Sequence, residues 1–470
     1  MPIPSASLAT VREPPTPPGL PWVGQLREAW RDPIALFLSA REAFGDVVKF
    51  RFGPIDYHLV NDLGAVKHVL VDNAKNYVKS SNYAGLKIML GEGLLTSEGD
   101  FWKRQRRLSQ PAFHREHLAG FAITMAGETQ RMLDRWSRIE PGTCVDVHAE
   151  MMRLTFAIVG QTLLSTDVDD DSSAIGEALD IGLKWTNDYA EALVRLPPWV
   201  PTPSNLRYQK ARRTLDELVY RIIGERRKQA DPGNDLLGML MRVVGEGEDD
   251  RMNDRQLRDE LLTLVLAGHE TTANLLAFAF HALSTQPYWL RQTQEEIHTV
   301  LEGRTPTLAD LPRLKITRMV LDETLRLYPP AWTFERQSLA EDVIGGFRLP
   351  KGGIVGISPY VLHRDAKLWE NPEGFDPMRF SPERSEGRPK FAYLPFGGGP
   401  RTCIGNAFAM MEATIILAMV LQHHRLDRDA SRPLALDPMV TLRPKHGVYC
   451  HLFRRSGSPQ VAGNALPSPS

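Results

Sequence analysis

The segment FGGGPRTCIG (residues 396–405) holds a cysteine in a stretch that suits neither a helix nor a strand. Three glycines and a proline precede Arg401, and another glycine follows Cys403. A thiolate that ligates a metal must be held rigidly, with backbone N–H groups near the sulfur. Glycines let the backbone approach a flat cofactor closely. The run NAFAMMEATIILAMVL after Gly405 reads as a helix, and its N-terminus near Cys403 would lower the thiol pKa. The same residues also fit a buried cysteine beside a flexible loop. A phosphate-binding loop fits poorly, since the segment has no lysine followed by serine or threonine.

AGHETT (267–272) lies inside a long apolar run. Burying a carboxylic acid and two hydroxyls is costly without partners. Thr271 can bond back to the carbonyl of Ala267 and bend its helix. Gly268 leaves room for a small molecule against the backbone. An acid beside a hydroxyl, Glu270 with Thr271, can relay protons into an apolar cavity. A satisfied interhelical hydrogen bond is the competing reading.

Glu323 and Arg326 in LDETLRLYPP stand three apart and face the same side of a helix. Alone they read as a surface ion pair. The apolar neighbours Leu321, Leu325 and Leu327 favour burial, and a buried pair needs a third partner for the guanidinium. In FWKRQRR (101–107), Trp102 and Arg106 lie one helical turn apart and can both donate to an anionic carboxylate. Lys103, Arg104 and Arg107 read as a solvated basic face, or one turned toward an acidic partner.

The elements that carry these groups are mostly helical. Residues 32–44 read as a helix with Pro33 in the first position, followed by the strand pair VVKFRFG and YHLVN. Residues 100–244 are largely helical, broken by LPPWVPTPSN (196–205). The helix bearing AGHETT starts near Asn253 or Asp254, both suited to cap it, and stops before Pro287. That is about 32 residues, or roughly 48 Å. Its middle is apolar nearly all round, as in a buried helix. DVIGGFRLPKGGIVGIS reads as short strands joined by turns. The fold class is therefore mostly α with a smaller β portion.

The 470 residues are 42% hydrophobic, so a large core is available, and the formal net charge of −1 gives no bias toward nucleic acid or anionic membrane. Length alone would allow about three domains. The motifs are scattered over one span with no linker, which points to a single domain over residues 26–455. Residues 1–25 form a proline-rich arm that is neither a signal peptide nor a membrane anchor. Residues 456–470 have a disordered, linker-like composition. Cys144, Cys403 and Cys450 are few and far apart, which fits a reducing cytoplasm rather than a disulfide framework.

Together these segments resemble the cytochrome P-450 family of haem-thiolate monooxygenases, from PPGLPWVG to LRPKHGVYCHL and with four motifs in the family's order. The resemblance implies a long central helix over haem b, with a cysteine-ligand loop below. It implies Cys403 as the axial ligand, through a thiolate that favours O–O cleavage, with Phe396 packed near the sulfur. Glu270 and Thr271 would deliver protons on the opposite face. Glu323 and Arg326 would form a buried triad with Arg379 that supports the cysteine loop. Trp102, Arg106, Arg336 and Arg401 match positions that hold the haem propionates, Arg336 in a loop of variable length. His363 in VLHRD is left as a structural histidine.

The implied reaction inserts one oxygen atom from dioxygen into an apolar molecule such as a fatty acid, terpenoid or steroid. Two electrons would come from NAD(P)H through a separate ferredoxin or flavodoxin system and its reductase. The resemblance points to a soluble, bacterial-type, cytoplasmic monomer. The substrate lining would come from residues 80–95, from Leu262, Leu266 and Ala267, from residues 331–334 including Trp332, and from Val440. Two other readings stay open at this point: a haem-thiolate isomerase or dehydratase that consumes no reductant, and a non-catalytic haem sensor. The Glu270–Thr271 pair argues against both.

Overall fold

The apolar run around AGHETT folds into the helix Asp254–Thr285, 32 residues long. Asn253 caps it in a capping box, its side chain accepting from Gln256 N while the Gln256 side chain accepts from Asn253 N. Such a cap is worth about 1 kcal/mol. Pro287 opens the next helix, Pro287–Leu301, so the break falls where the sequence places it. A computed structural model describes residues 11–113, 115–165, 172–192, 194–229, 233, 235–242 and 252–455. The tail of residues 456–470 and the first ten residues lie outside this set.

The central helix is the spine of two apolar clusters. Its C-terminal half packs with helices Arg115–Trp136, Val147–Leu164, Lys315–Leu327 and Asn406–His423. Its N-terminal half packs with Ala84–Leu90, Ser172–Glu191 and Pro203–Arg227. The central helix and Asn406–His423 are long and apolar enough to cross a membrane, yet most of each is buried inside the protein. Their apolarity is thus spent on the core.

The β portion lies to one side. Its five-stranded sheet runs Val47–Phe52, Ile55–Val60, Ile354–Ile357, Phe334–Ser338 and Tyr77–Val78 in spatial order. The first two strands pair antiparallel, with Val47 opposite Val60 and Phe52 opposite Ile55. Ile55–Val60 then pairs parallel with Ile354–Ile357, joining residues nearly three hundred apart. Within the expected short-strand segment, Asp342–Ile344 and Phe347–Leu349 pair with each other as a separate hairpin. A separate three-stranded sheet is formed by Cys144–Asp146, Tyr449–Arg454 and His424–Arg428 in spatial order. The described part of the proline-rich arm lies along the larger sheet, where Lys49 N donates to Pro15 O (2.9 Å) and Gln25 Nε2 to Pro17 O (2.6 Å).

Candidate functional site

The loop around Cys403 is built on two glycines with positive φ, Gly397 at 68° and Gly399 at 70°. A side chain at Gly399 would place its Cβ 2.0 Å from the Leu70 carbonyl oxygen, so only glycine fits there. Cys403 N donates to Phe396 O at 3.0 Å, and Thr402 donates to Gly399 O through both N (3.1 Å) and Oγ1 (2.7 Å). Arg106 Nη1 donates to Thr402 O at 2.9 Å from the helix Gly99–Ser109. The thiol is deep in the protein but accessible. Burial pushes its pKa up, opposed by the N–H of Gly405 and the Arg106 guanidinium. The helix N-terminus acts in the expected direction, through the N–H of its N-cap Gly405, but desolvation of a thiolate outweighs it and the net shift is upward.

The central helix is buried at every position from Leu257 to Phe280 except Ala267, Gly268 and Thr271. Thr271 Oγ1 donates to Ala267 O at 2.7 Å, the back-bond anticipated from spacing. Glu270 is buried and accepts from Thr441 Oγ1 at 2.6 Å. Burial raises its pKa, and the Thr441 hydrogen bond and Arg443 lower it. Asn274 Nδ2 donates to Thr441 Oγ1 at 3.4 Å, and Asn274 Oδ1 accepts from His148 Nε2 at 2.9 Å. Thr441 was missed in the sequence, where only its neighbour Val440 drew notice.

Arg401 donates to Ser97 O (2.8 Å) and to Glu98, and its guanidinium lies 4.0 Å from the Trp102 ring centre. Its Nη1 is buried without a partner. Burial and the nearby Arg336 bring its pKa down to about 10. Lys79 is pushed well below its usual value by burial, then by Arg336 and Arg401. Lys79, Arg336 and Arg401 thus gather around one place with Glu98 as the opposing charge. Lys79 gives no signal in the sequence.

The Glu323 carboxylate is fully buried and binds Arg326 through two bonds, Nε to Oε2 (2.7 Å) and Nη2 to Oε1 (2.8 Å). Arg379 Nε reaches Glu323 Oε1 at 3.3 Å. Arg326 also donates to the carbonyls of His363, Pro372 and Gly374 at 2.6–2.9 Å.

Of the expected lining, Leu262, Leu266 and Val440 share one apolar cluster. Trp332 does not join them. It belongs to another cluster, its ring centre 6.0 Å from that of Phe37 and its Nε1 donating to Met439 O at 2.8 Å.

A family model for cytochrome P-450 matches residues 14–451. The chain is 38% identical to cyclooctatin synthase of Streptomyces melanosporofaciens, over 91% of both chains. It is 35% identical to cyclooctat-9-en-7-ol 5-monooxygenase of the same organism, over 87% of this chain and 89% of that one. Pentalenene oxygenase of Streptomyces avermitilis is 35% identical, over 90% and 94%. The family uses haem with a cysteine-thiolate ligand, and its reaction needs dioxygen, an organic substrate and an electron-supplying partner. On the match over nearly its whole length and on these relatives, the chain belongs to the cytochrome P-450 family and is a haem-dependent monooxygenase.

Proposed function

We propose that the chain hydroxylates a terpenoid with dioxygen, holding haem b through Cys403. The observation that carries the reading is the pair of accessible interior surfaces. One is the thiol of Cys403, and the other is the Ala267–Gly268–Thr271 patch of an otherwise buried helix. Cys403 would hold the cofactor, and the patch, a gap in a buried helix, would offer room and the Thr271 hydroxyl to the chemistry that it supplies.

The residues fit the group. Cys403 is the accessible thiol of a rigid loop, whereas Cys450 is buried within a sheet strand. Lys79, Arg336 and Arg401 crowd together although both arginines disfavour the charge of Lys79 and Arg336 that of Arg401, and Arg401 Nη1 lacks an acceptor. Two propionates would supply the missing anions. Trp102 and Arg106 flank the same place from the helix Gly99–Ser109.

Bound haem supplies the dioxygen activation that puts one oxygen atom on the substrate. The Gly405 N–H and Arg106 favour the charged form of Cys403 against burial. Thr271 gives its hydroxyl proton to Ala267 O, so its oxygen meets the accessible gap as an acceptor and can pass a proton on when that bond is exchanged. Glu270, its pKa raised, can keep a proton on Oε2 because Thr441 donates to Oε1. Leu262, Leu266 and Val440, with Leu86, Met89 and Leu90 in the same cluster, present an apolar wall that excludes water and suits a terpenoid. The named substrates of the two Streptomyces relatives, cyclooctat-9-en-7-ol and pentalenene, favour that class over fatty acids.

Electrons would come from NAD(P)H through a ferredoxin or flavodoxin in the cytoplasm, to a monomeric enzyme. Lys103 and Arg107, exposed on the helix that also carries Trp102 and Arg106, offer an acidic partner a basic surface.

The test is the absorption spectrum of the reduced protein with carbon monoxide, followed by turnover of a terpenoid panel with ferredoxin, its reductase and NADPH. A strongly red-shifted Soret band, lost in Cys403→Ser, and a product one oxygen heavier are expected. A normal band in Cys403→Ser would refute the ligand. Turnover of fatty acids alone would refute the substrate class.

A further inference from the structure

Cys144, Asp429 and His451 meet at the three-stranded sheet, and none of them takes part in the chemistry described above. Cys144 opens the strand Cys144–Asp146 and stands opposite His451 in the strand Tyr449–Arg454. Asp429 follows the strand His424–Arg428, tied in by its N–H to Tyr449 O at 3.0 Å. One sulfur, one carboxylate oxygen and one ring nitrogen all lie within 4.8 Å of one another. The Cys144 Sγ to Asp429 Oδ2 distance is 3.9 Å. Tetrahedral zinc with bonds of roughly 2.0–2.3 Å sets its donor atoms about 3.3–3.6 Å apart, so a small contraction suffices.

We propose that Cys144, Asp429 and His451 bind a divalent, borderline-soft cation, zinc above all. A sulfur, nitrogen and oxygen donor set suits zinc and disfavours magnesium or calcium, which take oxygen ligands. The surrounding bonds are those a metal ligand needs. His451 Nδ1 lies 2.9 Å from Gly142 O. A carbonyl can only accept, so Nδ1 carries the proton and Nε2 of the neutral ring offers its lone pair. Asp429 Oδ1 accepts from Ser431 N (2.9 Å) and Ser431 Oγ (2.6 Å), which fixes the carboxylate and leaves Oδ2 to the ion. Arg432 Nε lies 3.6 Å from Oδ2, an exposed contact that a divalent cation would replace. Binding forms a metal–sulfur bond and releases the Cys144 thiol proton to solvent. A water molecule would complete the tetrahedron.

The test uses the haem-loaded protein, whose iron counts the chains. After dialysis against micromolar zinc and then buffer, elemental analysis should give about one zinc per iron. Cys144→Ser and His451→Gln should fall to background, with the carbon monoxide spectrum unchanged as proof of an intact fold. Ser431→Ala should weaken binding by about tenfold. A ratio equal in wild type and both variants would overturn the proposal, as would no retained zinc in the wild type. Should a variant fail to fold, alkylation of Cys144 in the wild type decides, read by peptide mass spectrometry. Zinc, but not magnesium, should slow it, and equal rates with and without zinc would refute the site.

Discussion

His363 Nε2 accepts a hydrogen bond from the backbone N–H of Leu394 at 2.8 Å. Its Nδ1 lies 3.2 Å from the Arg326 carbonyl oxygen, so Nδ1 carries the proton and the ring is neutral. The imidazole therefore joins the helix of the Glu323–Arg326 pair to the start of the cysteine loop, where Gly397 N donates to Leu394 O. Burial takes the His363 pKa down to about 3. Its structural reading in the sequence gains a specific content: it is a strut between two parts of the proposed haem site.

That strut makes stability depend on pH. The ring is neutral when folded and takes up a proton when unfolded below about pH 6.5. The folded pKa is depressed, so stability is full above about pH 6.5 and is lost as pH falls toward 3. Each such group contributes a slope of up to about 1.4 kcal/mol per pH unit. His269 and His424, both brought down to about 4 by burial, add to the same loss. Urea unfolding from pH 7 to 5 should therefore show a steep decline. His363→Gln should lower stability at pH 7 by about 1–3 kcal/mol through its unpaired neighbours and make the decline shallower. An unchanged slope in the variant would mean that His363 is protonated in the folded protein.

Arg326 makes five hydrogen bonds, two to Glu323 and three to carbonyls of other segments. Arg326→Ala leaves a buried carboxylate with Arg379 and the Asp376 N–H, at a cost of about 3–5 kcal/mol. Arg326→Lys should rescue little, because one ammonium cannot span two carboxylate oxygens and three carbonyls. Arg379→Ala should cost less, since both Glu323 oxygens keep Arg326. Denaturant midpoints of the three variants, with haem content per chain, check this order.

Lys79 carries a prediction of opposite signs. Three cations held together destabilise the haem-free chain and favour anion binding. Lys79→Gln should raise the unfolding midpoint of the haem-free protein and speed haem loss from the holoenzyme to apomyoglobin, by about tenfold for one lost charge-assisted bond of roughly 1.5 kcal/mol. A merely structural lysine would move both measurements in the same direction.

The sequence made legible what local chemistry determines. The Asn253 cap, the stop at Pro287, the spacing of Glu323 with Arg326 and the back-bond from Thr271 to Ala267 all act within a turn or two of chain. What stayed hidden depends on partners brought by the fold. Thr441 meets Glu270 across 171 positions, and Leu394 meets His363 only because a loop folds back on the helix. Trp332 shows the same limit: its packing against Phe37, in a cluster other than that of Leu262 and Leu266, has no signal in the residues around it. The sign of the Cys403 shift was hidden too, because desolvation depends on depth and not on motif.

Thr271 gives the sharpest test of the proposed proton delivery. Its hydroxyl is held at an accessible gap in a buried helix, with Ala267 O taking its hydrogen bond. Removing it leaves the Ala267 carbonyl to other partners but keeps the cysteine loop, the cations and the apolar wall intact. Thr271→Ala should therefore fold, load haem and show the thiolate spectrum. It should still consume NADPH with substrate, while the rate of hydroxylated product falls by about 10²-fold and peroxide appears in its place. Thr271→Ser keeps the hydroxyl and should recover most of the product. Measuring NADPH consumed, peroxide and product side by side separates the outcomes. If Thr271→Ala forms product with unchanged coupling, the proton travels by Glu270 and Thr441 without the hydroxyl, and Glu270→Gln should then show the loss instead.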